Sequence, residues 1–157
     1  MLVIGLTGGI GSGKSHVSQL MERLGATIIN ADLVGHEAYK PQSETWKVVV
    51  ETFGNEIVAD DGEIDRRKLG GIVFGDPEAL KKLNGIMHPR MYTMIEERIN
   101  GYRKEGHKTV LVEAAILIEA NWTPLMDEIW VVTSPEDTVV ERIKERNNMG
   151  EEAARAR

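Results

Sequence analysis

The chain has 157 residues, 41% of them hydrophobic and 28% charged, with a net charge of −6 and no cysteine. That length suits one domain with room for a small insert, and the negative balance argues against DNA or an anionic membrane as main partner. The absence of cysteine excludes a disulfide framework, thiolate chemistry and a Cys-based zinc site. The N-terminal apolar run is too short for a signal peptide, and no stretch approaches the length of a membrane span.

In chain order, the apolar run Leu2–Leu6 reads as a buried parallel strand. Helical spacing of Val17, Leu20, Met21 and Leu24 then predicts a helix over Lys14–Leu24, with Gly25 just past its end. Thr27–Asn30 is a short second strand with Ala31 and Asp32 at its C-terminal end. From Leu33 to about Arg103 the pattern is mostly helical and too long for a simple crossover. The acidic stretch Asn55–Asp65 within it reads as a solvated turn at Asp61-Gly62. It lacks the spacing of a calcium loop. Pro89 suits the first position of a helix whose apolar stripe is Met91, Ile95, Ile99 and Tyr102, ending near Gly106.

β-branched residues mark Thr109–Val112 as a third strand, followed by a short helix or loop over Ala114–Ala120. Glu128–Thr133 is a fourth strand. Ser134, Pro135 and Asp137 read as N-cap, first turn and capping acid of a helix running to about Asn148. Gly150 breaks it, and Glu151–Arg157 starts another helical pattern. Strands alternating with helices predict an α/β fold with a parallel sheet.

Gly8-Gly9-Ile10-Gly11-Ser12-Gly13-Lys14-Ser15 fits G-x-x-x-x-G-K-[ST] between the first strand and the first helix. That is the context of a phosphate-binding loop for a nucleoside triphosphate with magnesium. Glycines at 8, 9, 11 and 13 are expected to turn the backbone through positive φ and aim amide groups at phosphate. Lys14 is expected to reach the β- and γ-phosphates and the Ser15 hydroxyl to ligate Mg²⁺.

Ligands of an open parallel sheet sit beyond the C-terminal strand ends. Asp32, Glu113 and Glu119 are the acidic candidates there. Asp32 suits a general base for an attacking hydroxyl, or else a helix N-cap. Glu113 suits a metal role or a salt bridge. Arg142 and Arg146 share one helix face, able to meet phosphate or to pair with Glu141 and Glu145. His88-Pro89-Arg90 could meet substrate phosphate or simply open a helix. His16, His36 and His107 lack metal spacing. Asp32-Leu33-Val34-Gly35 matches the D-x-x-G of nucleotide switches, yet no guanine-reading N-K-x-D occurs.

These segments together resemble the dephospho-coenzyme A kinases: Ile4 to Ser15, Asn30-Ala31-Asp32 with His36-Glu37, Asp65 to Leu69, Val73-Phe74, Leu83-Asn84 with His88-Pro89, and Arg142 with Arg146. The resemblance implies an enzyme that phosphorylates the ribose 3′-hydroxyl of dephospho-coenzyme A with Mg·ATP, the last step of coenzyme A synthesis. It implies a P-loop kinase fold, with a nucleotide-binding core at 1–32 and 104–157 and a helical substrate domain at 33–103. Asp32, Lys14 and Arg142 would be catalytic. Gly9, Ile10, Gly11, Ser12, Gly13, Lys14, Ser15, His16 and Arg146 would bind ATP, with Ser15 on the metal. Asp32, Asp65, Arg66, His88 and Glu113 would face the acceptor.

The resemblance also implies a cytoplasmic enzyme acting on a small molecule. It is compatible with a monomer and leaves the oligomeric state open. The chain departs from the family at Asn30, where an Asp is usual, and at His16, where Thr or Ser is usual. The family also carries a last strand and helix that this chain is expected to lack. The alternatives are a P-loop kinase for another metabolite, a nucleotide switch, and an inactive fragment that still binds ATP phosphates.

Overall fold

The computed structural model describes residues 1–148 and 150–152, with Arg146 described by its backbone only. By internal contacts the chain divides into two units. The first comprises Met1–Asn30 and the residues from Ile99 on; the second is Ala31–Arg98.

The first unit is built on a four-stranded parallel sheet: β1 (Leu2–Thr7), β2 (Thr27–Asn30), β3 (Thr109–Glu113) and β4 (Glu128–Val131). The order is β2-β3-β1-β4. β1 and β3 lie inside and are apolar almost throughout, as strands covered on both faces must be. Val3, Ile4, Leu6, Val110, Leu111 and Val112 are all buried. Helix α1 (Lys14–Arg23) lays Val17 and Met21 on Ile4, Leu6 and Leu111. It ends through Gly25 at φ +94°, as the sequence predicts. Asp127 braces the start of β1: its Oδ2 accepts from the Val3 amide at 2.8 Å. Residues 114–120 form turns rather than a helix.

Helix α6 (Glu136–Asn147) opens differently from expectation. Pro135, not Ser134, is the capping residue, and no side chain caps the helix. The Ser134 hydroxyl is engaged elsewhere, as described below. Glu151 and Glu152 are helical, and the rest of that expected helix lies outside the described residues.

The second unit is helical: α2 (Ala31–Ala38), α3 (Glu44–Phe53) and α4 (Arg66–Val73), with most of α5 (Pro77–Lys104). Ser43 caps α3, accepting from the Trp46 amide at 3.1 Å. The acidic stretch is more than a solvated turn. Val58 pairs with Ile64 across a turn at Gly62 (φ +83°), and Ile57 and Ile64 are buried. The Trp46 indole donates to the Gly62 carbonyl at 2.9 Å and fixes the tip.

Pro89 does not start a helix. It lies within α5, twelve residues past the helix's first residue, Pro77. A proline inside a helix forfeits one hydrogen bond, here to the carbonyl of Gly85. Both residues are exposed, so water can satisfy that carbonyl. Meanwhile the buried series Ala79, Met87, Met91, Ile95 and Ile99, with half-buried Leu83, runs unbroken across the proline. Packing of that series overrides the local signal.

His88 lies on α5, and partial burial holds its imidazole pKa below the usual histidine value. The folded state therefore disfavours the charged ring. Well above pH 6.5 the ring is neutral in both states and adds no pH dependence. Below that, the unfolded chain protonates first, so stability falls as pH drops toward the lowered value. His88→Gln is expected to melt less steeply with acid than wild type between pH 7 and 5.5. Parallel curves over that range would refute this.

Candidate active site

In the first unit, the candidate residues grow from the end of β1. Three positive-φ glycines shape the loop: Gly8 (+152°), Gly11 (+73°) and Gly13 (+102°). Gly9 is not among them, contrary to expectation, and a Cβ there would meet nothing within 4 Å. Gly8 is different. A Cβ on it would lie 2.4 Å from the Val132 carbonyl oxygen and 2.9 Å from the Ser12 hydroxyl. The backbone there has no room for any other residue.

The Lys14 ammonium donates to the carbonyls of Gly8 (2.6 Å) and Gly9 (3.3 Å). Ser15 and Ser18 are three apart on α1 and so share a face. Their hydroxyls both donate to Glu113: Ser15 to Oε1 at 3.1 Å and Ser18 to Oε2 at 2.7 Å. Glu113 thus accepts from two hydroxyls. It ends β3 opposite Leu6 on one side and Asn30 on the other. Ser18 was not foreseen; its spacing from Ser15 was the available signal.

Arg142 sits on α6 with its Nη1 3.0 Å from the Gly11 carbonyl and 3.1 Å from the Ser134 hydroxyl, donating to both. The Ser134 hydroxyl in turn donates to the Ser12 carbonyl at 2.9 Å. The side chain of Arg146 lies outside the described residues, and His16 is exposed on α1. Ile10 is exposed and Ser12 buried.

The second unit holds a pocket of about 430 Å³ lined by Asp32, His36, Tyr39, Arg66 and Met91, over Ala31 and Gly35. α2 begins at Ala31, so Asp32 lies in its first turn and is not its N-cap. A carboxylate is favourable there, near the positive end of the helix dipole. Burial pushes the Tyr39 phenol pKa up, and the Arg66 guanidinium beside it pulls part of that back. His36 and Tyr39 were not expected in a site. The i, i+4 spacing puts His36 on the helix face of Asp32, and Tyr39 follows directly after that helix.

Asp65 lies next to the pocket residue Arg66. Its Oδ1 caps α4, accepting from the amides of Arg67 (3.0 Å) and Lys68 (3.1 Å). His88 is half-buried on α5 and does not line the pocket.

A glycine-rich loop leaves an inner strand of a parallel sheet and runs into a helix that opens with Lys-Ser. The strand order reverses at that strand. This is the P-loop kinase fold. The model of the family described as dephospho-CoA kinase matches residues 2–157, and the chain belongs to that family.

Its relatives include the dephospho-CoA kinase of Dehalococcoides mccartyi, 40% identical over the whole chain and 79% of the relative. That of Geobacter metallireducens is 44% identical over the whole chain and 78% of the relative. Among solved structures, one from Thermus thermophilus has a TM-score of 0.80 at 30% identity, covering 99% of this chain and 78% of that one. Dephospho-CoA kinase from Campylobacter jejuni has a TM-score of 0.70 at 29% identity, covering 98% and 77%.

Proposed function

We propose that the chain transfers the γ-phosphoryl group of ATP to the ribose 3′-hydroxyl of dephospho-coenzyme A. The carrying observation is the Gly8–Ser15 loop at the end of β1, in a chain whose family performs this last step of coenzyme A biosynthesis. In this reading the first unit binds ATP and the second binds the acceptor.

The loop amides and Lys14 hold the phosphates as donors and point charge. Asp32 takes the proton of the attacking hydroxyl, which its place in a pocket with Arg66 and Tyr39 supports. Arg66 serves acceptor binding from the pocket, with Asp65 holding the start of α4. Arg142 and Arg146 contribute positive charge around the nucleotide.

Magnesium fits the donors present. Ser15 Oγ and Glu113 Oε1 are oxygen atoms 3.1 Å apart, the ligand type that this hard cation prefers. The described residues contain no group of three or more His, Cys, Asp or Glu able to hold a metal, so phosphate oxygens and water would complete the shell. When bound, the ion offsets charge on the β- and γ-phosphates. No described helix is long and apolar enough to cross a membrane. We extend the reading to the cytoplasm, where an ATP-consuming kinase finds its nucleotide.

The test is ADP release with Mg·ATP, with and without dephospho-coenzyme A. Acceptor-dependent ADP, with the new phosphate on the 3′-oxygen, is expected. ADP release indifferent to the acceptor would defeat the assignment.

A further inference from the structure

We infer that Ser134 is a positioning residue for the phosphate loop. It acts through one peptide plane and gives the base of α6 a direct hold on nucleotide binding. The proposal rests on the loop binding nucleotide, as proposed above.

A trans peptide unit is planar, and its C=O and N–H point in opposite directions. The Ser12 carbonyl and the Gly13 amide belong to one such unit. Holding the carbonyl from one side therefore aims the Gly13 N–H to the other. Gly13, at φ +102°, lacks the Cβ that would restrict rotation of that plane. The Ser12 side chain does not fix it either, for its hydroxyl is buried without a hydrogen-bond partner. The restraint comes from 122 residues away: the Ser134 hydroxyl donates to the Ser12 carbonyl at 2.9 Å.

Arg142 completes the clasp. One guanidinium nitrogen donates to the Ser134 hydroxyl (3.1 Å) and to the Gly11 carbonyl (3.0 Å). The serine thus has its proton directed to Ser12, because its oxygen is accepting from Arg142. Two consecutive carbonyls, Gly11 and Ser12, are held by residues flanking the first two turns of α6. Val139 and Ile143 on that helix lie 3.2 and 3.4 Å from the position a Gly11 Cβ would take, so the loop is backed by apolar packing too.

The experiment titrates ATP, with magnesium, into wild type, Ser134→Ala and Ser134→Thr, with melting curves for all three. Loss of the restraint is expected to weaken ATP binding roughly tenfold in Ser134→Ala, the worth of one hydrogen bond. Ser134→Thr, which keeps the hydroxyl, is expected to stay within about twofold. In turnover assays KM for ATP should rise in Ser134→Ala while KM for dephospho-coenzyme A holds, a split that general destabilisation would not produce.

Equal ATP affinity in Ser134→Ala and wild type would overturn the proposal, as would a threonine variant as weak as the alanine one. If Ser134→Ala does not fold, Ser134→Cys, with similar bulk and a weak donor, replaces it in the same comparison. A wild-type chain that binds ATP but phosphorylates nothing refutes the kinase reading and leaves the Ser134 comparison standing. One that binds no ATP refutes both.

Discussion

Asp32→Asn is expected to lower kcat by about 10²–10⁴-fold, the usual worth of a positioned general base, with little change in KM for ATP. Asparagine keeps the shape of the side chain but cannot accept the proton. Asp32 is in the first turn of α2, so the variant also loses a favourable charge–dipole term. That term is worth about 0.3–1 kcal/mol, enough to lower the melting temperature slightly without unfolding the chain. Steady-state kinetics with dephospho-coenzyme A as the varied substrate measures the effect. A variant within about threefold of wild type would remove Asp32 from the chemistry and return it to a structural role.

Gly8→Ala should be the most damaging small substitution in the loop. The added methyl would be forced to within 2.4 Å of a main-chain oxygen, that of Val132. Backbone cannot swing aside as a long side chain can, and φ +152° is itself unfavourable for alanine. Strain of this kind costs about 3 kcal/mol, and relief requires the loop to part from Val132, just past β4. ATP binding and stability should therefore fall together. Gly9→Ala is the matched control, with ordinary φ and open space around its Cβ position. Its stability should change by less than about 1 kcal/mol. Urea melts of the two variants decide the matter: similar losses would mean that the loop is not shaped by the Val132 contact.

Much of the first unit could be read from residue order because its determinants are local. The runs at Leu2–Leu6 and Thr109–Val112, each one residue short of the observed strand, the short strand Thr27–Asn30 and the stop at Gly25 all announce themselves within a few residues. What escaped was long-range. Glu113 meets Ser18 across 95 positions, and Ser134 meets Ser12 across 122. Ser134-Pro135 carries a convincing local helix-start pattern, yet the cap falls on Pro135 and the Ser134 hydroxyl bonds to the Ser12 carbonyl. Pro89 misled for the same reason: its local preference is real, but the buried face of α5 outweighs one missing hydrogen bond. Gly9 shows the reverse error, in which a residue type was assigned a backbone conformation that its neighbours supply instead.

That buried face has a geometric property of its own. Its members, Ala79, Leu83, Met87, Met91, Ile95 and Ile99, recur every fourth residue. Each fourth step on an α-helix overshoots a full turn by about 40°. Five such steps accumulate about 200°, so the apolar seam spirals half-way round the rod between its ends. The beginning and the end of α5 therefore bury nearly opposite sides, and the helix behaves as two amphipathic segments fused with a phase difference. The boundary between the units falls at Arg98 and Ile99, on this helix. Inserting or deleting one residue near Pro89 would rotate everything downstream by about 100°. It would turn Ile95 and Ile99 to solvent while leaving Ala79 and Met87 in place. Length, more than composition, is what the sequence must conserve along α5.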